Sequence, residues 1–589
     1  MKKYSDYIAE WLVEKEYTHC FFLAGGGCMH LIESFRRYFT LIPVVHEVTA
    51  GIAAEHFNQC TEKGKAFVLV TTGPGITNLV TAIAGAYVER RELLIISGQV
   101  KSTDLISRGL RQRGVQEIDG KAINEEITVE CLRIKKEITK KEFHNAISKA
   151  YYPHPGPVLV EICLDIQGKK VDEKIFDDEA NSDSSGGFKV DPSRYKNLFE
   201  NLKFSKRPVL LIGGLVERKR IWDSTPVLEA LKIPVATTTS AVDRVATNSS
   251  IWAGRPGTWG GQRFSNLIVA QADLLIVIGA QLDLQQTGFN WREFSPNSKI
   301  FQIYPCKFEV EKGHPVMEEG HNDDPNMFLE YFLKTASWED QDNWLGYVKE
   351  LKSLVPYIEN NKYRKDSISS FIFSNKLSRV SDREDILAVC SSGGTFTGGL
   401  QVIETKFGQK VTVSPAFASM GYGLGTAIGA SFSNPGKKII LMEGDGGFCQ
   451  NLQELALVKR HNLPIKIFIF SNNGYASIRA TQRKYFNGSY EGCDEKTGLS
   501  FPDWKLLFKA YDIDCLYINN DISENQIKEI ISSNEPKAWV VRVDPEQTNW
   551  PEITSKINDN GSIESNPIYK MNPPLEENII KKVTKYISY

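Results

Sequence analysis

No CxxC pair and no paired cysteine spacing occur in this sequence, whose ten cysteines stand apart at 20, 28, 60, 131, 163, 306, 390, 449, 493 and 515. Neither a cysteine zinc site nor a disulfide framework is indicated, and a reducing, cytoplasmic setting is the expectation. No apolar run approaches the roughly 18 residues that a membrane span needs. The segment MKKYSDYIAEWLVEKEY opens with two lysines, but Glu10 and Glu14 interrupt its apolar positions, so it reads as an amphipathic helix and not as a signal peptide. Neither sign of charge dominates: 72 acidic and 70 basic residues leave a net −2, which offers nothing to nucleic acid or to an anionic membrane. The nine histidines form no metal-ligand spacing. No GxGxxG lies at a strand–helix junction, which argues against a nicotinamide dehydrogenase.

What is present is an alternation of short apolar runs with helical stretches. At 589 residues the chain exceeds one core, and about three or four domains are expected. Runs at 21–24, 42–45, 66–70, 93–97 and 158–162 predict strands of a largely parallel sheet. Turns at Gly25-Gly26-Gly27, at Thr72-Gly73-Pro74-Gly75 and at Gly98 put loops on the ligand-binding edge of a doubly wound sheet. The polar segment QGKKVDEKIFDDEANSDSSGGFK then reads as an interdomain linker. Further strand runs at 208–212, 233–236, 274–278 and 299–303 make a second α/β unit. A polar, helix-rich connection over 336–370 leads to a third, which closes with a run at 538–543. The expected architecture is α/β, with three Rossmann-like doubly wound parallel-sheet domains at 1–170, 190–335 and 365–545 and a C-terminal tail at 546–589. The tail is expected to pack on its own or a neighbouring subunit, and no internal repeat is evident.

The most informative stretch is 437–475, KKIILMEGDGGFCQNLQELALVKRHNLPIKIFIFSNNGY. It predicts a strand over 439–442, a turn at Gly444-Asp445-Gly446-Gly447, a helix over 450–461 with Leu452, Leu455 and Val458 on one face, a strand over 465–470, and a turn at Asn472-Asn473-Gly474. Parallel strands joined by a helix open their carboxyl ends at one edge, so Asp445 and Asn472 converge. Oxygen ligands of that kind suit Mg²⁺, whose shell is commonly completed by phosphate oxygens. Gly444, Gly446 and Gly447 let the backbone come close to a diphosphate, whose charge the following helix N-terminus favours. The alternative is an ordinary buried βαβ unit.

This combination resembles the metal–diphosphate motif of thiamine-diphosphate-dependent enzymes. The resemblance implies that the Asp445 and Asn472 side chains and the main-chain oxygen of Gly474 bind the metal. PVVHEVTAGIAAEHF, VLVTTGPGITNLVTAIAGAYVERRELLIISGQV and RGVQEID are similar in order and spacing to the pyrimidine domain of the acetolactate synthase group. By that match Glu47 is the activating glutamate and Gln116 lies near the thiazolium and substrate. A carboxylic acid hydrogen-bonded to the pyrimidine N1′ favours the imino tautomer that can take the thiazolium C2 proton, a role suited to a mostly apolar pocket. Locally, Glu47 also reads as a helix N-terminal acid. SPAFASMGYGLGTAIGA is similar to the segment preceding the diphosphate clamp, where Met420 would prop the bent cofactor and the Ala418 carbonyl would take its 4′-amino group. Core packing is the other reading of Met420. Ser391-Ser392-Gly393-Gly394-Thr395 resembles a diphosphate-touching segment, with Thr395 as its candidate. Gly73, Asn78 and Tyr475 complete the implied cofactor contacts. The three domains would then be pyrimidine-binding, middle and diphosphate/Mg-binding.

The implied activity is decarboxylation of a 2-oxo acid, pyruvate first, with transfer of the acyl-anion equivalent to a carbonyl acceptor. Simple decarboxylation or another lyase reaction is the alternative, and a non-catalytic cofactor-binding homologue a remoter one that intact Glu47, Asp445 and Asn472 oppose. Thr481 stands where biosynthetic acetolactate synthases carry Trp, which implies room for an acceptor larger than pyruvate, such as a keto sugar. Gly279-Ala280-Gln281 lacks the Arg of the flavin-dependent enzymes, although GRPGTWGGQR keeps a glycine-rich loop, so FAD stays open. The family pairs Glu47 of one subunit with Asp445 of another, implying a homodimer at least and a tetramer as an option. His30 follows a glycine turn and could face substrate, while His19, His144, His154 and His321 are expected at the surface or in loops. The charge runs at Arg90-Arg91 and over 581–585 read as solvated faces. The assignment of Glu47 makes a direct prediction: Glu47→Gln lowers turnover at saturating cofactor by about 10²–10⁴-fold, and near-wild-type turnover would remove Glu47 from the chemistry.

Overall fold

Runs of Val, Ile, Leu and Phe become strands buried on both faces, as parallel sheets covered by helices require. The computed structural model describes residues 1–107, 109–172, 176, 190–340 and 342–588. In the first unit the strands are β1 (Lys2–Lys3), β2 (Tyr17–Phe22), β3 (Thr40–Pro43), β4 (Lys65–Val70), β5 (Leu93–Gln99), β6 (Glu130–Ile134), β7 (Pro157–Cys163) and β8 (Lys170–Val171). Six of them form a parallel sheet in the order β3-β2-β4-β5-β7-β6, and β1 pairs with β8 antiparallel. The middle unit has β9 (Pro208–Ile212), β10 (Val235–Thr237), β11 (Leu274–Ile278), β12 (Lys299–Ile303) and β13 (Glu319–His321), all parallel in the order β10-β9-β11-β12-β13. The third has β14 (Ile386–Val389), β15 (Val411–Thr412), β16 (Ile439–Gly444), β17 (Ile465–Ser471), β18 (Asp514–Ile518) and β19 (Lys537–Arg542), parallel in the order β15-β14-β16-β17-β19-β18. The first and third sheets therefore share one topology, although no repeat shows in the sequence. Among the described residues no helix is long and apolar enough to cross a membrane, and all ten cysteines are free.

Local chemistry shifts several expected boundaries. The chain does not turn loosely after β16 but enters a helical turn, Asp445–Phe448, directly. The expected helix over 450–461 is split into a 3-10 turn, Leu452–Glu454, and a helix, Leu455–Arg460. Asn451 leaves helical geometry there, and its side-chain amide donates to the Gly421 carbonyl at 2.7 Å. Residues 173–175 and 177–189 of the expected linker lie outside the described residues. The C-terminal tail packs on its own middle unit: Ile568, Tyr569 and Val583 join that core, and the Arg263 and Asn266 side chains donate to the Met571 and Ile568 carbonyls.

One continuous core joins the first and third sheets. The helix Glu47–Cys60 lies against the helix Tyr422–Ser433 so closely that a Cβ on Gly429 would overlap the Ala53 carbonyl. Beside this contact runs a buried polar network. Arg91 is not solvated, as its charge run suggested, but 7% exposed; it donates to Glu55 at 2.9 Å, to the Ser414 hydroxyl at 3.0 Å and to the Val413 carbonyl at 2.6 Å. His56 bonds Thr412 and Ser414 in the same network. Burial pushes the Glu55 carboxyl up to about 7 against the pull of Arg91. His321 is likewise buried, within β13 beside Glu319, and not in a surface loop. Removing one partner of such a network strands the others without water. Arg91→Leu is expected to cost about 3–5 kcal/mol, measured as a lowered denaturation midpoint; an unchanged midpoint would show that the network adds nothing.

Candidate active site

The register of β16 on β17 pairs Gly444 with Phe470, so both strands finish together and Asp445 and Asn472 emerge side by side. Asp445 is 2% exposed. Its Oδ1 accepts from the Gly446 N–H at 2.8 Å, and its Oδ2 accepts from the Asn472 and Asn473 N–H groups at 3.0 and 2.8 Å and from the Ser471 hydroxyl at 3.2 Å. Burial outweighs these donors and pushes the carboxyl up to about 6. The Asn472 Oδ1 is buried and has no hydrogen-bond partner among the described residues. An orphaned buried acceptor beside a buried carboxylate is what a hard cation would satisfy. The Gly474 backbone is pinned nearby by a bridge to Asp494. Among the described residues no three His, Cys, Asp or Glu side chains cluster as a metal site, so any cation here would rest on one carboxylate, one amide and a carbonyl.

The space at Gly393 and Gly394 is open. A Cβ on Gly393 or Gly394 would meet nothing within 4 Å, and these residues begin the helix Gly393–Val402. The Thr395 hydroxyl lies 3.7 Å from where a Cβ on Gly444 would stand. Gly446 and Gly447 are closed instead, the first by the Tyr475 ring and the second by Glu443. Glu443 escaped the motif reading. It is 2% exposed, accepts from the Gly423 and Gly444 N–H groups at 3.1 and 3.0 Å, and is pushed up to about 7 by burial. Its apolar strand neighbours hid it, since the pattern there reads as one buried run.

Ala418, with φ at +54°, lines a cavity of about 820 Å³ together with Ser392, Gly393 and Thr481. Such a φ strains a residue with a Cβ and is tolerated where the backbone itself is used. Met420 sits half-buried two residues on. The middle unit adds Trp259 and Phe289 to the cavity wall, and the tail adds residues 549 and 551–555. His30 is not part of this wall; it packs against Gly168.

The second group of sequence candidates comes together elsewhere. Glu47 begins its helix, is 5% exposed, and accepts from the Asn78 side-chain amide at 2.9 Å. Gly73, with φ at +67°, admits the Gln116 carbonyl where any Cβ would overlap it. Gln116, also at positive φ, is exposed. None of Glu47, Gly73, Asn78 or Gln116 lines the 820 Å³ cavity. Glu454, which the sequence did not single out, anchors this half to the third unit: its buried carboxylate accepts from the Val45 and His46 N–H groups at 3.1 and 2.9 Å.

A separate crevice of about 50 Å³ lies at the carboxyl edge of the middle sheet, between Gly214, Thr238, Gln281 and Asp283 and closed by Glu89. None of its lining residues is basic. It adjoins a larger cavity of about 730 Å³ that shares Glu89 and Gly214 and is lined by Arg218 and Arg244.

Residues 2–123 match the model of the thiamine pyrophosphate enzyme N-terminal TPP binding domain, residues 195–330 that of the central domain, and residues 393–542 that of the C-terminal TPP binding domain. The chain is 30% identical to the probable acetolactate synthase large subunit of Methanocaldococcus jannaschii, over 85% of each. It is 27% identical to the acetolactate synthase isozyme 2 large subunit of Escherichia coli, over 90% of this chain and 91% of that one. With the acetolactate synthase large subunit of Lactococcus lactis it shares 24% identity over 95% and 96% of the two.

The raised Asp445 carboxyl has a consequence for metal dependence. Below about pH 6 a proton occupies the group that a cation would need, and above it the carboxylate is free. If Asp445 holds Mg²⁺, the concentration giving half-activation rises by about tenfold per pH unit below pH 6 and levels off above. Asp445→Asn should abolish that dependence along with most activation; an unaltered profile would exclude Asp445 as a ligand.

Proposed function

The chain belongs to the thiamine pyrophosphate enzyme family, as a thiamine-diphosphate-dependent carboligase of the acetolactate synthase-like kind, and from that premise we propose that it decarboxylates pyruvate and joins the remaining two-carbon unit to a carbonyl acceptor larger than pyruvate. When bound, thiamine diphosphate supplies the carbanion chemistry. The observation that carries this reading is the orphaned Asn472 Oδ1 beside Asp445; the open space at Gly393 and Gly394 agrees with it. In this reading Asp445, Asn472 and the Gly474 carbonyl hold Mg²⁺. Thr395, Gly444, Gly446 and Gly447 border the diphosphate, with Tyr475 backing Gly446. Met420 and Ala418 set the bend and orientation of the rings.

Glu47 holds a proton at the pyrimidine, Asn78 orients its carboxyl, and Gly73 and Gln116 shape the approach. Within one chain this group does not share a cavity with Ala418. A second copy would bring the two halves together, making a homodimer the functional unit, with a tetramer built from dimers. Ten free cysteines support a cytoplasmic setting.

The larger acceptor rests on Thr481, whose short side chain lines the cavity and whose hydroxyl is spent on the Ser477 carbonyl at 3.1 Å. Labelled pyruvate offered with thiamine diphosphate, Mg²⁺ and a panel of aldehydes, oxo acids and keto sugars should give a labelled two-carbon adduct by mass spectrometry. Labelled acetaldehyde alone would mean a decarboxylase instead. Thr481→Trp should lower kcat/KM for the larger acceptor by at least about tenfold relative to pyruvate; equal effects on both would detach Thr481 from acceptor choice.

A further inference from the structure

The outer wall of the 820 Å³ cavity displays two large aromatic side chains that no core uses: Trp259 is 47% exposed and Phe289 59%. Single exposed aromatics are unremarkable on a protein surface, but two on one cavity wall make a platform for a flat or ring-shaped ligand. Trp259 is held out by construction. Its loop turns on Gly257 at φ +142° and Gly260 at φ +72°, and a Cβ on Gly261 would overlap the Gly257 carbonyl. The Asn266 side chain clamps the same residue, accepting from the Gly257 N–H at 2.8 Å and donating to its carbonyl at 3.1 Å. Thr258 donates twice to the Gln285 carbonyl, from its N–H at 2.8 Å and its hydroxyl at 2.9 Å. A loop so tied loses little further freedom when a ligand settles on it.

Charged side chains line the same cavity. Arg483 and Lys484 line the cavity at the end of the helix Ala476–Tyr485, and Glu552 is the acid of the lining among the described residues. Arg483 is committed to Glu546. Lys484 is in no ion pair among the described residues, and its ammonium lies 5.5 Å from the Tyr485 ring. The lining therefore leaves one cation available to a ligand.

We propose that the acceptor is a ring-bearing carbonyl compound with an anionic substituent, its ring stacked on Trp259 and Phe289 and its anion at Lys484. This deepens the carboligase reading and rests on it. In the coupling, the C1–C2 bond of pyruvate breaks with loss of CO₂, C2 bonds to the acceptor's carbonyl carbon, and the carbonyl oxygen takes a proton. No external oxidant or reductant is needed.

The test uses the holoenzyme with labelled pyruvate and two probes, a keto-pyranose with an anomeric phosphate and the same ring without it. Trp259→Ala is expected to lower the ratio of ring-acceptor product to released CO₂ by about tenfold or more for both probes, through KM, with Trp259→Phe restoring most of it. Lys484→Ala should lower the ratio for the phosphorylated probe alone. Binding of each probe is also followed by quenching of tryptophan fluorescence, which Trp259→Phe should diminish and which needs no turnover. An undiminished ratio in Trp259→Ala overturns the proposal, as does wild-type protein that couples small aldehydes but neither binds nor couples the rings. A stoichiometric bound flavin that is lost in Trp259→Ala would give the platform to that ring and overturn it too. If wild type releases no CO₂ from pyruvate, the donor assignment fails by itself, and the fluorescence titration still decides the ring platform.

Discussion

The contact between the helices Glu47–Cys60 and Tyr422–Ser433 is the constraint on which the rest of this structure depends. Small residues on both helices let the backbones approach until the Ala53 carbonyl fills the place of a side chain at Gly429. That approach merges the apolar faces of the first and third sheets into one core. It also fixes where the Glu47 helix begins, because Glu454 of the third unit accepts from the Val45 and His46 N–H groups just before it. Arg91, Glu55, Ser414 and His56 share the same seam. Charges sealed there tolerate little movement, since any gap would leave a buried charge unpaired.

The strand ends at Asp445 and Asn472 show the opposite economy. Asp445 and Glu443 are both buried and both pushed toward neutrality by loss of water. Glu443 is spent on holding the Gly423 and Gly444 backbone. Asp445 is oriented by backbone donors of the neighbouring strand end, while the Asn472 oxygen beside it is left unsatisfied. A protein bears the cost of such an orphan where a ligand completes it. The shared topology of the first and third sheets gives each a carboxyl edge between helices, and the two edges carry different chemistry: a carboxylate with an amide at Glu47 and Asn78, an oxygen-lined clamp at Asp445 and Asn472.

The middle unit and the tail supply part of the cavity wall. Arg263 and Asn266 of the middle unit bind the tail backbone, and the tail in turn closes one wall of the cavity over Gly393 and Ala418. The helix Ala476–Tyr485, with no buried residue, forms the adjacent wall and is held by ion pairs of Arg479 and Arg483 to Glu546. The same helix is tied to the neighbouring strand end, since Arg479 also pairs with Asp494, which bridges Gly474.

The strand runs, the βαβ unit over 437–475 and the convergence of Asp445 with Asn472 were legible in the sequence, because hydrophobic period and right-handed crossover are local properties of the chain. The likeness of the first to the third sheet was not, because topology is preserved by backbone packing that many side chains satisfy. Nor were Glu55, Arg91 and His321 legible as buried residues, or Glu443 and Glu454 as anchors: a charged residue reads as solvent-facing until a partner from a distant segment covers it. By itself the sequence determined the α/β class and the meeting of two strand ends at Asp445 and Asn472. Only the tertiary structure decided that Trp259, Thr481 and the tail share one cavity. Those juxtapositions join residues hundreds of positions apart, and no periodicity or spacing along a chain encodes a distance of that kind.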